Sequence, residues 1–303
     1  MKKVDTMHVQ TTHTTTYLYS DSVSICHTEV HLAPRECPHQ RLISHELRIS
    51  PEPAFTTSRR DYFGNEITIF SIQEAHETLS ITAHSEIELL PEEPPAGGLT
   101  PPWEEVVEAV RGTKTEELFR AAEFSYPSPF VKPSPACEAY GRESFTKGRP
   151  ILEAGLDLCH RIFRDFKYDP RATTISTPVE EVLEKRSGVC QDFAHLMITC
   201  VRSLGLPARY ISGYLRSNEK TLGGEASHAW CSIYCPEFGW LEFDPTNDVM
   251  PNCNHVTIAH GRDYSDVAPV RGVALGGGEQ IVNVAVQVLP PAATASGSTS
   301  RAD

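Results

Sequence analysis

The chain has 303 residues, with 27 Lys and Arg against 40 Asp and Glu, a net charge of −13 at pH 7. So acidic a chain argues against nucleic acid or an anionic membrane as a partner. Hydrophobic content of 40% and charged content of 22% are those of an ordinary globular protein, long enough for two domains or one large one.

Met1-Lys2-Lys3 is not followed by an apolar run. Neither a secretory signal nor a membrane span is therefore expected, and the nine cysteines are expected to be reduced thiols in a cytoplasm. Residues 1–7 read as a flexible N-terminus. Residues 8–90 read as β. His8–Gln10, Thr14–Tyr19, Val23–Leu32, Arg41–Ile49, Tyr62–Ile72 and Thr78–Leu90 are rich in Thr, Ile, Val, Tyr and Leu. Ala33-Pro34, Ser50-Pro51 and Gly64-Asn65 supply turns between them. With no helical pattern in between, the expectation is an antiparallel sheet or small sandwich built from hairpins and meanders. The histidines scattered through it read as surface or hydrogen-bonded residues.

Residues 91–100, rich in Pro and Gly, read as a linker, and 101–289 as the catalytic core. Thr100 can cap a helix begun by Pro101-Pro102 that carries Trp103, Val106, Val107 and Val110 on one face. A short helix from Thr115, a Pro-broken loop over 126–135 and a helix over 150–166 follow. Thr177-Pro178-Val179-Glu180 reads as a capping box opening another short helix. Next comes the apolar stripe Phe193, Leu196, Met197, Cys200, Val201 and Leu204, at helical spacing, stopped by Gly205 and Pro207. Strands then return at 208–216, 227–235 and 239–243, with a last one at 280–289 bearing Val282, Val284, Val286 and Val288 on one side. Residues 290–303, largely Ala, Ser and Thr, read as a disordered tail.

Cys190 falls at the N-terminus of the stripe-bearing helix. The macrodipole and free backbone N–H groups there favour a thiolate, the form that attacks carbonyl carbon. A thiolate nucleophile needs an imidazole, and the imidazole an orienting acid. His228 opens the strand 227–235 and Asp244 ends the next, which makes them a cross-strand pair if the two strands are hairpin neighbours. A Cys190–His228–Asp244 triad is thus permitted by spacing alone. A zinc site from His228, Cys231, Cys235, Cys253 and His255 competes for the same residues. Strand alternation sets His228 opposite to Cys231 and Cys235, which argues against it. His195 reads as a helix-surface or core-edge residue, and Asp192 as a structural first-turn acid.

Four blocks in this order resemble the transglutaminase-like superfamily core: Arg186–Leu196, Leu204–Tyr214, Ser227-His228-Ala229-Trp230, and Gly239–Asn247. His13–Tyr17 and Arg60–Asn65 resemble the β-rich N-terminal domain that precedes this core in bacterial members, and His255–Ile281 resembles their C-terminal segment. The resemblance implies an α+β fold, a papain-like core with a helix packed on an antiparallel sheet, preceded by an antiparallel all-β domain. It implies Cys190, His228 and Asp244 as catalytic residues and acyl transfer from an amide through a thioester, on a peptide, protein or small-amide substrate. Hydrolysis is the default, because water needs no second binding site. No calcium-binding pattern of the animal enzymes is evident, so neither metal nor cofactor is expected. A non-catalytic binding module on the same scaffold is the alternative. Arylamine-type acetyl transfer is disfavoured by Ser187-Gly188-Val189 in place of that family's Gly-Gly run.

Overall fold

A computed structural model describes residues 6–90, 94–112, 115–216, 222 and 226–290. One strand organises the first layer. β1 (Met7–Val30) runs for 24 residues, where the sequence suggests three separate strands. The Thr-rich and Ser-rich stretches between them continue the strand because hydrogen-bonded neighbours flank it on both sides. Met7, assigned above to the flexible terminus, is already paired with Leu89.

β2 (Gln40–Ser50), β3 (Phe55–Arg60), β4 (Glu66–Ile72) and β5 (His76–Leu89) follow. β4 pairs with the C-terminal part of β1 and β5 with its N-terminal part, one after the other along the same side. β2 then pairs with β5, and β3 with β4. β2 does not fold back on β1, so the connection is not the simple meander expected. Tyr62–Asn65, read above as the start of a strand, is a turn, and β4 begins only at Glu66. The alternation of β5 places Leu79, Ile81, Ala83, Ile87 and Leu89 inside, as its pattern predicts.

The second layer begins with α1 (Trp103–Gly112), which buries Trp103, Val106, Val107 and Val110. Next are α2 (Glu116–Ala122), capped by Thr115, and α3 (Pro135–Arg142), capped by Ser134. α3 has no counterpart in the sequence reading; it hides inside the Pro-rich stretch because a proline at the first turn is compatible with a helix. α4 (Ile151–Asp165) has the hydroxyl of Thr100 at its start, accepting from Leu152 N at 3.2 Å. β6 (Lys167–Tyr168) precedes α5 (Val179–Lys185). The expected capping box there does not form. Thr177 Oγ1 accepts from Thr174 N instead, and Pro178 occupies the cap.

β7 (Ser187–Gly188) pairs in parallel with β6 and leads into α6 (Cys190–Ser203). α6 is buried nearly all round, beyond its single predicted stripe, because α3, α4 and α5 cover the side away from the sheet. That sheet is antiparallel, in the order β10 (Gly239–Phe243), β9 (His228–Cys235), β8 (Ala208–Leu215), β11 (His255–Gly261).

The chain then returns to the first layer. β12 (Val270–Gly276) and β13 (Gln280–Leu289) pair with β1 on the side away from β4 and β5. Cys26 has Ile72 on one side and Ala274 on the other; His13 has Ala83 and Val286. Residues 270–289, grouped above with the 101–289 core, therefore lie in the N-terminal sheet. Only there do their backbone groups find partners, along a side of β1 that would otherwise be open. Val9, Ile87, Leu89 and Val286 of this sheet share one packed cluster with α6 and the second sheet. A smaller cluster around Val23, Phe70, Ile72 and Ile81 fills the other end. No described helix is long and apolar enough to cross a membrane.

Candidate active site

The turn before Cys190 is built by a backbone that only a few residue types tolerate. Arg186 ends α5 in the left-handed region, φ 53°. Gly188 lies so close to Asp192 that a Cβ would come within 2.7 Å of its carboxylate. That carboxylate accepts from Val189 N at 2.8 Å and from the Thr173 hydroxyl at 2.6 Å. Asp192 thus holds the chain at the entry to α6, and Cys190 is the first residue of the helix, 8% exposed. Burial raises the Asp192 pKa against these bonds. Tyr168 and Tyr210 stand beside the thiol; burial, aided by Cys190, pushes Tyr168 up to about 12 and Tyr210 well above its usual value.

His228 opens β9 and sits opposite Gly213 of β8. Its Nε2–H donates to Asp244 Oδ2 at 2.8 Å, with both side chains fully buried. The offset is two residues diagonally, since Phe243 is paired with Cys231. The other ring nitrogen, Nδ1, is buried and has no hydrogen-bond partner among the described groups. Burial opposes a charged ring here. The Asp244 carboxylate, by charge and by hydrogen bond, and the nearby Cys190 thiol outweigh it and push His228 up to about 10. Asp244 is held well below the usual carboxylate range: burial works against ionisation, but His228 and His255 overcome it.

Asp244 follows β10 in a tight turn closed by a bridge to Val249. Its Oδ2 also accepts from His255 Nε2 at 3.1 Å and Asn247 Nδ2 at 2.9 Å, and its Oδ1 from Thr246 N at 3.0 Å. His255 and Asn247 escaped the sequence reading as members of this group. The one available signal was a histidine opening the strand after the Asp-Pro-Thr-Asn turn, which is weak. Trp230 backs the cluster. It is fully buried, stacks on His228 with ring centroids 6.0 Å apart, meets His255 edge-on at 5.2 Å, and donates from Nε1 to Glu242 at 2.8 Å.

Gly213 explains how the indole fits. A Cβ there would collide with the Val256 carbonyl oxygen and the Trp230 ring. Gly213→Ala is expected to destabilise the protein by at least about 1–3 kcal/mol, the usual range for overpacking. A urea midpoint equal to wild type would show that the sheet yields at no cost.

His228, Asp244 and His255 bring one ligand atom each within 4.8 Å of one another, so this trio could hold a metal ion. The donor set is not the cysteine-rich one considered from sequence. Cys231 Sγ donates to Phe243 O and Cys235 Sγ to Pro236 O, while both imidazoles already share one carboxylate oxygen. His195 lies elsewhere in the core. It is stacked on Phe130 and accepts from Tyr264 N at 3.2 Å.

Comparison with known proteins agrees with this fold. Residues 9–88 match the bacterial transglutaminase-like N-terminal region, and residues 139–245 match the transglutaminase-like superfamily. An uncharacterized protein of Mycobacterium tuberculosis is 39% identical over 298 residues, covering 94% of this chain and 93% of its own length. The chain belongs to the transglutaminase-like superfamily. A protein-glutamine gamma-glutamyltransferase of Pseudomonas aeruginosa is 33% identical over 107 residues, 31% of this chain and 16% of that protein. In fold, the chain is similar to the crystal structure of a proposed cysteine protease from Cytophaga hutchinsonii, with a TM-score of 0.74 and 21% identity over 94% of this chain and 91% of that one.

Proposed function

We propose that this protein is a cysteine-dependent hydrolase or acyltransferase that opens an amide bond through a thioester. The observation that carries the reading is His228: one ring nitrogen bound to a buried carboxylate, the other buried and unpaired next to a thiol at a helix N-terminus. In this reading the Cys190 sulfur attacks the amide carbonyl carbon. The oxyanion that forms is met by the Cys190 backbone N–H at the start of α6. His228, protonated, hands its proton to the departing nitrogen as the C–N bond breaks, leaving a thioester on Cys190. Neutral His228 then takes a proton from water as the water oxygen adds to the thioester carbonyl; the C–S bond breaks and an acid leaves. Asp244 fixes the Nε2–H tautomer, and His255 holds Asp244. Hydrolysis is favoured over transfer to an amine because no second substrate has to be positioned. The Pseudomonas aeruginosa relative, by its name, transfers glutamyl groups, so a glutamine-type carboxamide or a peptide bond is the substrate proposed here.

The test is incubation with a mixture of glutamine-containing peptides. Ammonia release reports deamidation, and new N-termini report peptide cleavage. Wild type is expected to yield one or the other, and Cys190→Ala neither. Turnover that survived in Cys190→Ala would end the proposal.

A further inference from the structure

The long side of the first sheet formed by β12 and β13 differs from its opposite side. The opposite edge is made by β2 and β3. β2 carries Arg41, His45, Glu46 and Arg48, and β3 carries Arg59 and Arg60. Charges of this kind keep an exposed strand from pairing with another chain. β13 reads Gln280-Ile281-Val282-Asn283-Val284-Ala285-Val286-Gln287-Val288-Leu289 and has no charged residue. Among the described residues its only strand partner is β1, so its outer row of backbone N–H and C=O groups is unpaired by any strand.

Its side chains tell the same story. The alternation of Val282, Val284, Val286 and Val288 predicts a buried face. Val286 is buried and Val288 partly so, but Val282 and Val284 are 45% and 44% exposed. On the other face Ile281 is 63% and Leu289 54% exposed, and β12 adds Val273 and Leu275 at 69% and 66%. This is an apolar, uncharged strand wet on both faces and along its edge, the arrangement that natural sheets avoid unless something covers it.

We propose that a second copy of this chain covers it, β13 pairing antiparallel with β13 across a two-fold axis. Two observations select that occupant. The chain carries a net charge of −13, which opposes self-association in general, but β13 meeting β13 brings no charged side chain of that strand against its like. A ten-residue strand offers roughly 34 Å of backbone for a new ladder, and identical edges meeting about a two-fold axis satisfy each other and leave nothing open for further growth. This inference does not depend on the chemistry proposed for Cys190.

The experiment is sedimentation equilibrium on the full chain from about 1 to 100 µM, with a double variant, Ile281→Lys and Val284→Lys. Both side chains are exposed in the single chain, so the substitutions leave its thermal unfolding near that of the isolated protomer. Wild type is expected at twice the 33.6 kDa chain mass and the variant at 33.6 kDa. Hydrogen exchange on wild type alone gives a second readout that needs no variant: amides along β13 should become less protected on dilution. A wild type that stays monomeric throughout the range overturns the proposal. So does a variant that remains dimeric, or β13 exchange that ignores concentration.

Discussion

Changing His228 to alanine is expected to slow the reaction of Cys190 with iodoacetamide at neutral pH by about 10²-fold or more, the scale of a lost acid–base partner. The reason is local. A free thiol is mostly protonated at pH 7. Here a buried imidazole beside the sulfur is held on the protonated side up to about pH 10, with Asp244 the main group that raises it, and places a positive charge next to the attacking atom. The sign follows: that charge persists as pH rises through the normal imidazole range and is lost as His228 gives up its proton near pH 10. Amide turnover should therefore fall on the alkaline side close to that value, because the leaving nitrogen loses its acid. The other thiols provide the internal comparison. Cys37 and Cys253 are the two that are only partly buried, and burial, with Glu242, still pushes Cys37 up to about 12. Mass spectrometry of partially alkylated protein should find label on Cys190 before either. Equal labelling of Cys190 and Cys253 in wild type would remove the basis for the mechanism.

Asp244→Ala should be the most damaging single change to stability, at about 3–5 kcal/mol, the cost of removing one member of a buried charge pair. Asp244 is fully buried and receives four hydrogen bonds, from His228, His255, Asn247 and Thr246. Truncation strands the buried His228, His255 and Thr246 donors, while Asn247 Nδ2 keeps the Leu222 carbonyl. The penalty is itself pH-dependent. His228 has a folded pKa above its unfolded value, so its share is complete below about pH 6.5 and fades as pH rises through about 10. Asp244 is shifted the other way, so the same pair also weakens as pH falls below the ordinary carboxylate range. Urea unfolding of wild type and variant at pH 6 and pH 10 should show a larger gap at pH 6. A gap that grew with pH would contradict the ion-pair account.

Local signals made much of this legible. The α6 stripe, the strands β8 to β10 and the alternation of β5 are periodic patterns, and they hold. The spacing of Cys190, His228 and Asp244 sufficed to bring them together on paper, and the structure places His228 against Asp244 and near Cys190. What escaped depends on distant partners. No window of sequence reveals that β1 is flanked by residues 66–89 on one side and 270–289 on the other, so one strand read as three, Val270–Gly276 was not read as a strand, and 280–289 was grouped with the 101–289 domain. Thr100 and Thr177 each sit before a plausible helix start, yet their hydroxyls serve Leu152 and Thr174. Propensity marks a residue able to cap; packing decides which backbone it meets. His255 lacks any periodic signature, because its role is set by a carboxylate presented from a neighbouring turn.

The long first strand has a consequence for how the molecule comes into being. Ser24 donates its hydroxyl to Leu275, 251 positions later, and Gln10 is matched with Leu289. A ribosome delivers Met7–Val30 first and its outer neighbours last. Until residues 270–289 emerge, that flank of the nascent chain stays open. Closing it needs contacts between residues about 250 positions apart, which makes this step slow by topology. A chain interrupted before Val270 would lack both strands that pair along that flank.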